Sequence, residues 1–280
     1  MRLFVDHLTN LDFSYLDATR GLVGETWIAH IELEGSLDEQ GMVFDFSQVK
    51  KNVRMWLDTH IDHMLLVPSK SSALHSHAQK SEDDAFQWRY SLGTLYYRGP
   101  RQAQQFIPID YISPANVAEW CVHSLSALFP ESVKKLRLQF STEAITGPFY
   151  HYSHGLKKHL GNCQRIAHGH RSRLEIWENG EPADALMELI SREWRDIYIG
   201  SRDDSTADTE VAENLHFEYE AQQGKFYLSL PAQSCYLIDS ESTVERIAEH
   251  LAQRLKQANP ASNFTVKAYE GLAKGAIVSV

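Results

Sequence analysis

The stretch Phe149 to Leu174 reads FYHYSHGLKKHLGNCQRIAHGHRSRL and holds His154, Cys163, His168 and His170. His168 and His170 are two residues apart, and the run that follows (Arg171 to Trp177) alternates polar with apolar, as a half-buried strand does. Side chains on a strand repeat with period two, so both imidazoles are expected on one face. His154 stands upstream in another strand-like run, YHYSH. Three neutral imidazoles on rigid strands make a catalytic-type zinc site with its fourth position open. Among fourteen histidines an H-x-H alone is weak, and His75-Ser76-His77 is another, in a polar stretch. The third histidine, and a cysteine five residues before the triplet, single this one out.

The chain that must position these groups has 280 residues, enough for one large domain or two ordinary ones. Its 43% hydrophobic and 11% aromatic content is globular. No apolar run approaches twenty residues, so no membrane span is expected. The start, MRLFVDHLTN, lacks a charged segment followed by an apolar one, so no secretory signal is expected. Cys121, Cys163 and Cys235 are odd in number and scattered, which suits a reducing cytoplasm better than a disulfide framework. A net charge of −10 argues against nucleic acid, which needs a clustered basic face. The expectation is a soluble, cytoplasmic protein.

The pattern predicts strands at 2–7, 13–16 and 26–33. A helix follows, with Phe46, Val49, Val53, Trp56 and Leu57 as its apolar stripe. Residues 69–84 read as a polar loop, followed by strands at 86–90, 94–98 and 106–109. A second helix opens at Ser113-Pro114, an N-cap residue with proline at the first helical position, and a strand at 135–140 closes the unit. The order then repeats. TWIAHIELEG (26–35) echoes RSRLEIWENG (171–180), and WRYSLGTLYY echoes FEYEAQQGKFYLSL. A helix bearing Met187, Ile190, Trp194 and Ile197, and another bearing Val244, Ile247, Leu251 and Leu255, match the first pair. The same order occurs twice, with about 140 residues per copy. Two α+β units are expected, each an antiparallel four-stranded sheet with two helices on one face.

This order, together with Cys163…His168-Gly169-His170, His154, GMVFDF (41–46), Asp62-His63 and YEGLAKGA (269–276), resembles the 6-pyruvoyl-tetrahydropterin and 6-carboxytetrahydropterin synthases. The resemblance implies two tandem tunnelling-fold units, residues 1–143 and 144–280, since family members are usually single units of about half this length. It implies zinc on His154, His168 and His170, and a pterin substrate. Cys163 would be the base, a thiolate favoured by the metal charge and the Arg165 region, and Asp62-His63 a second proton-transfer pair. Glu270 would accept the adjacent N–H and amino group of the pterin ring, and Glu143 is a less clear anchor in the first copy. The reaction implied starts from 7,8-dihydroneopterin triphosphate. Its product is either 6-carboxytetrahydropterin, as in queuosine-type deazapurine synthesis, or 6-pyruvoyltetrahydropterin. A non-catalytic pterin- or purine-binding scaffold is the competing class.

Aligned without gaps, Glu25 stands at the position of His170 and Val23 at that of His168, with Asp17 as the expected counterpart of His154. Aligned on Trp56 and Trp194, Asp62 and His63 fall on Gly200 and Ser201. Each copy is thus expected to keep what the other lacks: the relay pair in the first, the thiol and metal set in the second. The family joins its sheets edge to edge into closed barrels, which implies a homo-oligomer: a dimer or dimer of dimers, with four units from two chains in a ring.

Overall fold

Leu11, Phe13 and Tyr15 alternate with Asp12, Ser14 and Leu16, and all six are buried, so this strand is covered on both faces. In the computed structural model, which describes residues 1–80, 83–206 and 213–280, it belongs to β1 (Arg2–Asp17). The two strands expected here are one, continued through an irregularity between Val5 and Thr9 where His7 takes φ 50°. A bulge lets the ladder resume instead of ending it. β1 pairs antiparallel with β2 (Gly21–Gly35).

Asp45 caps α1 (Phe46–His60) by accepting from the Ser47 and Gln48 amides, and Val49, Val53 and Leu57 form its buried face. Ser113 caps α2 (Pro114–Leu125) in the same way, through the Asn116 amide. Between them run β3 (Leu65–Pro68), β4 (Leu74–Lys80), β5 (Asp83–Tyr90), β6 (Gly93–Pro100) and β7 (Gln104–Ile107), and β8 (Val133–Ser141) closes the copy. β4 lies inside the stretch 69–84 that reads as a loop, and β5 begins within it. β4 lies at a sheet edge and pairs only with β5, so its partner, not an apolar pattern, makes it a strand.

Residues 142–148 connect to the second copy without regular structure. There follow β9 (Phe149–His154), β10 (His168–Glu178), β11 (Glu181–Pro182), α3 (Asp184–Glu193) and β12 (Ile197–Ser201). β13 (Asn214–Ala221), β14 (Gly224–Pro231), β15 (Cys235–Ile238), α4 (Val244–Ala258), β16 (Phe264–Tyr269) and β17 (Gly275–Ser279) complete it. Residues 201–213 (SRDDSTADTEVAE) are a second polar stretch in the sequence, of which 207–212 lie outside the described residues, as do 81 and 82.

The expected four-stranded antiparallel sheet per unit is replaced by three larger, partly mixed assemblies. One runs β7-β3-β1-β2-β8, and another β15-β12-β9-β10-β16-β17 with β11 on β10. β3 and β12 enter in parallel with β1 and β9. The hairpins β5-β6 and β13-β14 leave their own sheets and join each other through β6 and β14 in a third sheet, β13-β14-β6-β5-β4. The cores follow the sheets. One is made within the first copy around Phe13, Trp27 and Leu57, and one within the second around Trp194, Ile247 and Leu251. The third is shared, with Trp88 and Tyr97 packed with Phe217 and Phe226. The copies are thus fused through backbone and core, and β1 and β2 lie directly against β9 and β10.

Candidate active site

The register of β9 and β10 sets His154 opposite His168 and Tyr152 opposite His170. All three imidazoles are buried, and their nitrogens lie within 4.8 Å of one another. Each Nδ1 has an oxygen close by, which for His154 and His168 accepts a hydrogen bond and for His170 is an ion-pair contact only. For His154 it is the Ser242 carbonyl at 2.8 Å, for His168 the Arg165 carbonyl at 3.1 Å, and for His170 the Asp12 carboxylate at 3.2 Å. A carbonyl only accepts, so the Nδ1 atoms of His154 and His168 carry the proton, and their Nε2 atoms present bare lone pairs. The same reading at His170 brings two lone pairs face to face, since His154 Nε2 and His170 Nε2 are 3.2 Å apart. His168 Nε2 is buried with no partner at all. Three converging lone pairs repel unless a cation sits among them, and this donor set fits zinc. Burial and the neighbouring imidazoles hold His154 and His168 far below the usual imidazole range, so both stay neutral, as ligands must.

Cys163 lies on a short 3₁₀ turn (Asn162–Gln164) in the loop between β9 and β10. The loop is tied down by the Leu156 amide donating to the Cys163 carbonyl, and by Tyr219 Oη and the Gln223 amide donating to Gln164. Its sulfur joins His63 and His168 in a second group within 4.8 Å. His63 arrives from the first copy, just after α1, with φ 54°. Asp62 and His63 are bound to β1 from both sides: the Asp12 amide donates to Asp62 Oδ1 at 2.9 Å, and the His63 amide donates to the Asp12 carbonyl at 2.7 Å. His63 Nδ1 is 2.6 Å from Asp62 Oδ2, and its ring centroid is 5.2 Å from that of His168. Burial opposes a charge on His63, but the Asp62 carboxylate and the Cys163 sulfur outweigh it and lift the imidazole to about 10.

Glu270 Oε1 is 3.9 Å from His170 Nε2, and Glu270 Oε2 is 3.7 Å from Lys274 Nζ. Lys274 also reaches Asp12 Oδ2 at 3.2 Å, so the first copy's aspartate ties the histidine cluster to the Glu270 turn. Burial opposes the charge on Asp12, but His170, Lys274 and Thr26 hold its carboxyl well below the usual range. No sequence motif marks Asp12 as functional. Its trace in the sequence is the pair of polar residues, Asp12 and Ser14, set between apolar ones on a strand buried on both faces. Glu143 is not brought to the cluster: it pairs with Arg173, Nε to Oε1, at 3.1 Å.

The sequence model of the 6-pyruvoyl tetrahydropterin synthase family matches residues 13–147 and again 146–279. The chain belongs to that family, as a tandem duplication. Among curated proteins it is similar to the putative 6-carboxy-5,6,7,8-tetrahydropterin synthase of Pyrococcus horikoshii, with 22% identity over 137 residues, 46% of this chain and 73% of that protein. Among solved structures it is similar to the 6-pyruvoyltetrahydropterin synthase of Plasmodium vivax, at 22% identity and TM-score 0.42, covering 50% of this chain and 90% of that one. The Plasmodium falciparum enzyme matches over the same shares at 17% identity and TM-score 0.42.

Strand register shows what the first family repeat carries at the corresponding positions. β1 and β2 pair Tyr15 with Val23 and Phe13 with Glu25, as β9 and β10 pair His154 with His168 and Tyr152 with His170. Val23 and Glu25 stand where expected, but the counterpart of His154 is Tyr15, not Asp17. β3 and β12 enter with Leu65 beside Ser14 and Tyr198 beside Ser153, which makes Asp196 the counterpart of His63 and Arg195 that of Asp62. Gly200 and Ser201 are displaced from that role because α3 ends sooner after its start than α1 does. Asp196 has φ 56°, the same left-handed backbone as His63. The same counting places Thr142, not Glu143 or Ser141, opposite Glu270.

At the counterpart position Arg20, in the turn that replaces the Cys163 loop, forms a two-pronged ion pair with Asp196 and donates to Tyr15 Oη at 3.0 Å. Counterparts meet between the two positions. Ser14 Oγ is 2.7 Å from Ser153 Oγ, and Gly24 lies against Gly169 so closely that a Cβ on Gly24 would overlap the Tyr152 carbonyl.

Proposed function

We propose that the protein is a zinc-dependent lyase that converts 7,8-dihydroneopterin triphosphate and water to 6-carboxytetrahydropterin, acetaldehyde and triphosphate. In this reading its units are residues 1–143 and 144–280, with the relay pair on the first and the thiol and metal set on the second. One observation carries the reading: His63 and Cys163, a hundred residues apart and in different copies, lie together beside His168 in a single chain. A binding scaffold needs only an anchoring carboxylate, and has no use for that convergence.

His154, His168 and His170 would hold the zinc, which as a Lewis acid lowers the pKa of the side-chain hydroxyls it binds. Glu270 anchors the pterin by accepting from its ring N–H and amino group, which fixes the C6 side chain over the cluster. Cys163 takes the proton from that side chain. His63, kept charged by Asp62, holds the proton that is returned. The carboxy product follows the name of the Pyrococcus horikoshii relative. The pyruvoyl product, formed by triphosphate loss alone, is the second reading, favoured by the description of the family itself.

Metal content per chain, with acetaldehyde release from 7,8-dihydroneopterin triphosphate, tests the proposal. One zinc per chain, lost in His168→Ala, is expected, with acetaldehyde released by the wild type. Metal-free wild-type protein would overturn the zinc assignment, and turnover without acetaldehyde would select the pyruvoyl product. We assign the working form to a dimer or dimer of dimers, because β8 and β17 are sheet edges that a second chain can pair. A three-chain particle in light scattering would refute this.

A further inference from the structure

A cavity of about 1030 Å³ opens at the metal-free counterpart of the candidate active site, bordered by Arg20, Phe149, His151, Ser191, Arg192 and Arg195. Its place is set by the repeat. By register His151 is the counterpart of Asp12 and Arg195 that of Asp62, while Arg20 sits in the turn that replaces the Cys163 loop. The cavity therefore stands where the candidate site would take its substrate, and no histidine triad lines it. Its size lies at the upper end of the range for small-molecule sites.

The lining has a direction. Arg192 and Arg195 are exposed at the C-terminal end of α3, and Ser191 beside them keeps a buried hydroxyl with no hydrogen-bond partner. Asp184 and Glu188 line the same cavity from the start of that helix. Asp184 and Arg192 are separated by about 12 Å along the axis, at 1.5 Å per residue. Phe149 lies on the cavity wall, its ring partly exposed, with the Arg171 guanidinium 4.1 Å from its centroid.

We propose that this cavity is a second, metal-free ligand site for a phosphorylated planar heterocycle. Arg192 and Arg195 take the phosphates, Phe149 takes the ring face, and the carboxylates of Asp184 and Glu188 take the ring's N–H edge. The site goes beyond the proposed active site and stands without it, because none of its residues touches the histidine cluster's donors. Duplication has left one copy of the pocket free of chemistry but still shaped for a ligand of substrate size.

Isothermal titration calorimetry on the zinc-loaded full chain tests the assignment, with GTP as the probe because it combines phosphates, a planar ring and adjacent N–H donors. The expected result is one equivalent of GTP that survives Glu270→Gln and is weakened at least tenfold in the double variant Arg192→Glu/Arg195→Glu. Both arginines are exposed, and because Arg195 also lies 3.9 Å from Asp196, an unchanged thermal midpoint is required to show that charge reversal leaves the fold intact. Absence of GTP binding by the wild type overturns the proposal. So does binding that Glu270→Gln removes and the double reversal leaves untouched. Zinc content and acetaldehyde release are read separately, so failure here leaves the lyase reading standing.

Discussion

His170 faces the Asp12 carboxylate at 3.2 Å, and at the counterpart position Glu25 faces the His151 imidazole at about 4.0 Å. The two pairs occupy matching register positions with their residue types exchanged between the strands. The exchange decides what each place can do. An imidazole backed by a carboxylate offers a lone pair to a cation. A buried carboxylate backed by an imidazole offers a charge with nowhere to go. Burial lifts Glu25 to about 7, despite the Thr26 amide and the nearby arginines, and burial pushes His151 down to about 4. The counterpart thus answers burial by neutralisation and by the Arg20–Asp196 ion pair, where the candidate site calls for a metal.

The sharpest way to break this comparison is turnover. Cys163→Ala or His63→Ala is expected to lower kcat by on the order of 10²–10⁴, the usual worth of a positioned proton-transfer group. Tyr15→Phe, at the counterpart of His154, leaves kcat unchanged. Equal losses in all three would mean that both positions work.

The next effect is one of stability against pH. Glu25 has an ordinary value of 4.5 and a folded value of about 7. A raised acid binds its proton more tightly when folded, so its cost is absent below the unfolded value and fully present above the folded one. Wild type should therefore lose roughly 3 kcal/mol relative to Glu25→Gln as pH rises from 4.5 past 7. Denaturant titrations of both proteins at pH 5 and pH 8 read this difference, and parallel pH curves would show that Glu25 is not held in its neutral form.

The smallest effect concerns the metal alone. Asp12→Asn keeps the shape but removes the charge that orients His170, and is expected to weaken zinc affinity by roughly 10–100-fold in a chelator competition. His151→Asn, its counterpart, should leave that affinity unchanged. If Asp12→Asn binds zinc as tightly as wild type, the first copy contributes nothing to the metal.

The histidine triad was legible because its spacing is local: a strand of period two fixes His168 and His170 together, and YHYSH supplies the third. The repeat was legible for the same reason, since helix stripes and turn residues are short-range signals. What escaped was set by distance. Asp12 meets a histidine far along the chain, and no local pattern names its partner. The strand β4 takes its form from pairing with β5, and the third sheet from hairpins of different copies finding each other. Aligning on Trp56 and Trp194 across helices of unequal length misplaces the counterparts to Gly200 and Ser201, and the unequal turns between β1 and β2 and between β9 and β10 misplace the other to Asp17; only backbone pairing keeps count.

The connection at 142–148 joins two halves that both contribute residues to the candidate active site. In an assembly of separate subunits such a centre exists only while the subunits are associated, and dilution removes it. A short covalent tether holds the second half at an effective concentration on the order of millimolar, whatever the amount of protein in solution. Formation of the centre is therefore first order in this chain. It is also released from symmetry: a substitution appears once per centre, so one half can drift toward a new ligand while the other keeps the chemistry.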